Sequence, residues 1–107
     1  MSGMCDLVAP QLSSRGRFMK LTPSEVHELS AINYIDRVTC PVIVAYGSKE
    51  SPEFIRQSRT YAEALRQAGR LEREIEVPDT THAQVPNVLL DPTAPLTRAA
   101  LAQLASV

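Results

Sequence analysis

The chemistry-bearing residues of this chain are an acid, Glu50, and a histidine, His82, each sitting just beyond a run of strand-forming residues. A carboxylate that meets an imidazole can hold the correct histidine tautomer and stabilise the imidazolium, while the histidine takes a nucleophile's proton and returns it to the leaving group. On the turn "YGSKES" alone, Glu50 reads as a solvated loop charge. His82, a single loop histidine, has the same plain alternative.

Other candidates are weaker. Ser48 lacks the strained Gly-x-Ser-x-Gly turn of a nucleophile elbow, and Ser51 is better placed as a helix cap. Cys40 precedes Pro41 at what reads as the buried start of a strand, the end opposite Glu50. Cys5 has no base within its own segment. The two cysteines show no CxxC or Cys/His spacing and read as free, buried structural thiols. Asp6 and Asp79 read as turn or capping groups. His27, in "VHELS", lacks the second histidine of an HExxH zinc pattern and reads as a solvated helix residue. No metal and no cofactor are expected.

The elements that must position Glu50 and His82 are legible in local pattern. Thr22, Pro23 and Glu25 form a capping box with proline in the first turn, which predicts a helix over 23–30. "CPVIVAYG" carries an unbroken apolar run, Val42 to Ala45, as in a parallel strand covered on both faces. Ser51 and Pro52 open a helix whose apolar positions, Phe54, Ser58, Tyr61, Leu65 and Ala68, recur until Gly69. "LEREIEV" predicts an edge strand. "DTTHAQVPNVLLDP" reads as a loop, and Pro95 to Leu104 as a last helix capped by Thr93. Two strands joined by a crossover helix make a βαβ unit, so Glu50 and His82 should meet past the C-terminal ends of neighbouring strands. Ligands of α/β sheets bind at that edge.

Composition narrows the class. The chain has 107 residues, 44% of them hydrophobic, with 11 basic against 12 acidic residues and a formal charge of −1. That fits one domain or part of one, with no footprint for nucleic acid or an anionic membrane. Neither a membrane span nor a secretory signal is visible, so the expected location is cytoplasmic.

The stretch "ESPEFIRQSRTYAEAL" resembles the acid loop and following helix of α/β-hydrolases of the arylformamidase (kynurenine formamidase) type, which read Asp-Ser-Pro-Glu-Phe-His-Arg-Gln-Ser there. The likeness continues through "THAQVPNVLLDPTAPLTRAAL" and back to "SGMCDL", and covers nearly the whole chain. It implies that Glu50 is the acid and His82 the base of a catalytic triad. It also implies that residues 1–107 are the C-terminal βαβ-α portion of an α/β-hydrolase domain, with Met1 at the end of the sixth strand. The substrate would be a small-molecule carboxylic ester or amide. Glu replaces Asp, an accepted exchange in this fold. Ile55 stands at a common histidine, and Thr81 and Ala83 replace the usual neighbours of His82. No Gly-x-Ser-x-Gly and no HGGG occur. The expectation is therefore a hydrolase segment that needs an N-terminal half or self-association. Its alternative is a truncated, inactive fragment acting as an oligomer or binding partner.

Overall fold

The computed structural model describes residues 4–8, 12 and 20–106. They form a small α/β fold whose centre is a parallel pair of strands, β1 (Val42–Gly47) and β2 (Leu71–Val77). The helices are α1 (Pro23–Leu29), α2 (Pro52–Gln67) and α3 (Pro95–Ala105). Two 3-10 segments, Ala31–Arg37 and His82–Leu90, lie in stretches where the sequence predicts no element.

The apolar run of β1 is explained by two cores, one on each sheet face. Ala45 packs with Ile75, Val77, Val85, Leu96 and Ala99, so this face is closed by the second 3-10 segment and α3. Val44 and Tyr46 point the other way, against Ala62 and Leu65 of α2. A strand that alternates between two covered faces cannot carry a polar side, which is why periodicity of two is missing from its sequence. β2 differs, because Glu72, Arg73 and Glu76 are exposed. Its carboxylates are met by α2: Arg66 donates to Glu74 at 3.0 Å and Arg59 to Glu76 at 3.4 Å, while Tyr46 donates to Glu74 at 3.1 Å. The register slips between Val42 and Ile43, which pair with Leu71 and Arg73, and then runs on to Gly47 opposite Val77. Both strands therefore end level.

α2 starts and stops where its sequence says. Ser51 accepts from the Phe54 amide, Pro52 opens the first turn, and Gly69 takes φ 72°. The left-handed glycine lets the Arg70 amide reach back to the Leu65 carbonyl at 2.8 Å, closing the last turn. Its buried face is Ser58, Ala62 and Leu65 with Gln57 alongside, and Ile55 packs on the same core. Phe54 and Ala68, expected on that face, are not in it. α2 begins at the end of the sheet, so its first-turn ring overhangs the strands and meets His82 instead.

Three further expectations are corrected. Thr93 does not cap α3; the cap position is Ala94. Both the amide and the hydroxyl of Thr93 donate to Asp91 Oδ1, at 2.9 and 2.7 Å, which closes a turn before the helix and holds the Asp91 carboxyl below its usual range. Cys40 is exposed; strand pairing begins only after Pro41, at Val42. The stretch read as a loop after Asp79 is mostly the 3-10 segment His82–Leu90, entered by Thr81, whose amide donates to Gln84 Oε1 at 3.0 Å. The Thr-x-x-Gln spacing is a capping-box signature that the sequence does carry. Among the described residues no helix is long and apolar enough to cross a membrane.

Ser58 Oγ is buried and has no hydrogen-bond partner among the described residues. A buried, unsatisfied hydroxyl costs roughly 1 to 3 kcal/mol. Ser58→Ala is therefore expected to raise stability by about 1 kcal/mol, read as a higher urea midpoint at unchanged slope. A lower midpoint would mean that the hydroxyl has a partner.

Candidate active site

The site is built by stitching the turn after β1 to the turn after β2. The Ser48 amide donates to the Val77 carbonyl and the Lys49 amide to the Thr80 carbonyl, both at 2.9 Å. In return the Asp79 amide donates to Ser48 Oγ at 2.8 Å. Asp79 takes φ 54°, a left-handed conformation that Asp tolerates better than most residues. Its exposed pairing with Lys49 at 3.7 Å adds little. The three crossing bonds make one unit of the two turns. Ser48 is thus an acceptor within the scaffold and Ser51 a cap, which leaves each with a structural task.

Within this unit the Glu50 side chain is fully buried. An ionised carboxylate is kept there only by donors aimed at it. Among them are the Gly47 amide, 2.6 Å from Oε2, and His82 Nδ1, 2.7 Å from Oε1. A carboxylate only accepts, so Nδ1 carries the proton and the neutral ring keeps its lone pair on Nε2. His82 opens the second 3-10 segment with its side chain 51% exposed. Its ring stacks on Phe54, with centroids 4.5 Å apart and planes 18° from parallel. The two residues singled out from sequence are thus brought together past the C-terminal ends of parallel strands. Gly47 and Phe54, which complete the arrangement, carry no sequence signal that separates them from an ordinary turn glycine or helix-face aromatic.

The remaining candidates lie elsewhere. Asp6 Oδ1 accepts from the Val8 amide, a turn role as expected, and the Asp6 backbone is pinned to α2 by Gln57 through bonds of 3.0 and 2.9 Å. Cys5 is half-buried, and burial pushes its thiol pKa up, away from the thiolate that a nucleophile needs. Cys40 sits at the far end of β1 from Glu50. His27 is exposed on α1, and Asn33 Nδ2 donates to its carbonyl at 2.9 Å. Glu53, at the start of α2, has its carboxyl lowered to about 2 by hydrogen bonds from Arg56 and then Gln57. It belongs to the helix start. Among the described residues no group of three or more His, Cys, Asp or Glu is placed to hold a metal ion.

In chemical terms the Glu50–His82 pair can accept a proton at Nε2 and stabilise the cation formed, which is the work of a general base beside a nucleophile. Compared with family models, curated proteins and solved structures, the chain matches none.

Proposed function

We propose that this chain is the acid-and-histidine portion of a serine-dependent hydrolase of the α/β-hydrolase type, similar to arylformamidases, acting on a small-molecule carboxylic ester or amide. The observation that carries the proposal is the 2.7 Å contact between a fully buried carboxylate and His82 Nδ1, at the end of the sheet where α/β ligands bind. In this reading Glu50 orients His82, and His82 Nε2 takes the proton of a serine that these 107 residues do not supply in a Gly-x-Ser-x-Gly turn. An N-terminal hydrolase half would bring the nucleophile and oxyanion donors. It would also continue the sheet at the edge of β1 that, among the described residues, has no strand beside it.

That same lack of a nucleophile motif favours a second reading, a catalytically inactive hydrolase fragment that acts only as an oligomer or binding partner. The two separate in one experiment. The chain is assayed with p-nitrophenyl acetate and N-formylkynurenine, alone and mixed with an N-terminal half that carries Gly-x-Ser-x-Gly. Serine-inhibitor-sensitive turnover that appears only in the mixture supports the first reading. A stable complex without turnover supports the second.

A further inference from the structure

We propose that Phe54 is a positioning residue that fixes the plane of the His82 imidazole and thereby the direction of Nε2. The proposal rests on the Glu50–His82 pairing described above. The bond from Nδ1 to Glu50 Oε1 restrains one ring atom, and that bond by itself leaves the ring plane free to tilt about the contact. With its side chain 51% exposed, His82 is not enclosed on every side. The Phe54 ring supplies a restraint of a different kind, because it lies flat against the imidazole at 4.5 Å and 18°. Offset stacking is one of the favoured arrangements of such rings. A bond in the plane and a contact perpendicular to it together define where Nε2 points.

Phe54 is itself held. It is the third residue of α2, its amide donates to Ser51 Oγ at 3.4 Å, and Pro52 fixes the turn before it. Glu50 and Phe54 thus belong to one short stretch of chain, so the acid and the stacking ring stay in register with each other. Phe54 is absent from both hydrophobic cores. Its effect on His82 can therefore be separated from an effect on the fold, as Leu65, buried in the α2 core, could not.

The test is histidine nitrogen NMR on the full chain at mildly alkaline pH, with His27→Gln to leave one imidazole. The ratio of Nδ1–H to Nε2–H tautomers and the ring-current shift of the carbon-bound ring protons are read together. In the otherwise unmodified chain those protons should be shifted upfield and Nδ1–H should dominate. Phe54→Leu, which keeps apolar bulk without a flat face, should abolish the ring-current shift and lower the tautomer ratio roughly two- to tenfold, the range an aromatic pair supports. Phe54→Tyr should restore both. If Glu50→Gln leaves the tautomer ratio unchanged, the underlying acid–histidine pairing fails. If Glu50→Gln inverts the ratio but Phe54→Leu does not alter it, the pairing stands and the role of Phe54 is refuted. Absence of an upfield shift in the unmodified ring refutes it without any variant at position 54.

Discussion

On the hydrolase reading proposed above, Glu50→Gln is expected to leave the chain folded and to lower turnover of the completed enzyme by roughly 10⁴-fold, the scale lost when a triad histidine is held in the wrong tautomer. The reason lies in how the carboxylate meets Gly47 and His82. Gly47 offers an N–H at 2.6 Å from Oε2, and an amide can answer it only with its oxygen. The amide nitrogen must then face His82 Nδ1, at the position of Oε1, 2.7 Å away. Two donors cannot share that gap, so Nδ1 becomes the acceptor and the ring proton moves to Nε2. The lone pair that would take the nucleophile's proton is lost, although shape and volume are conserved. His82→Ala, measured beside it, should remove nearly all turnover. Equal kcat for Glu50→Gln and the parent enzyme would reject Glu50 as the acid.

Where local chemistry dictates conformation, sequence and structure agree. The Thr22–Glu25 box, the Ser51–Pro52 start and the Gly69 stop each satisfy orphan backbone groups within a few residues, so no tertiary knowledge is needed to place α1 and α2. The β1 run was legible because burial on both faces erases alternation. That it continues through Tyr46 was not, since the ring is buried while its hydroxyl is anchored by Glu74 and Arg59 from two other elements. The juxtaposition of Glu50 with His82 follows from parallel connectivity alone. The complete burial of Glu50 does not, because it depends on a backbone amide, a donor that every residue but proline possesses. Phe54, at an apolar position of the helical pattern, lies outside the core for a similar reason. Helical spacing cannot distinguish position 54 from 55 without knowing where the sheet ends, and here Ile55 packs on the core while Phe54 passes over the strand ends.

Gly47→Ala should destabilise the chain by about 3 kcal/mol or more, at or beyond the top of the usual overpacking range, and dismantle the acid–histidine pair. A Cβ at Gly47 would lie 2.1 Å from the Thr80 carbonyl oxygen, 2.7 Å from its carbon and 3.2 Å from Val85 Cγ2. Neither side can yield cheaply. Thr80 is held by the Lys49 amide at 2.9 Å, and Val85 is 1% exposed in the α3-side core. Gly47 could retreat only by leaving its register with Val77 and withdrawing its amide from Glu50. Either movement opens the two stitched turns that carry Glu50 and His82. Gly69 supplies the contrast. Its φ of 72° makes alanine costly there through backbone conformation alone, by about 1 kcal/mol, because nothing lies within 4 Å of the added carbon. Urea unfolding of both variants reads the difference, and histidine NMR reads the site. Gly69→Ala should keep the Nδ1–H signal of His82, whereas Gly47→Ala should lose it. A Gly47→Ala chain of parental stability with that signal intact would show that the Thr80 turn yields freely and that close backbone approach is not what sets the geometry of the pair.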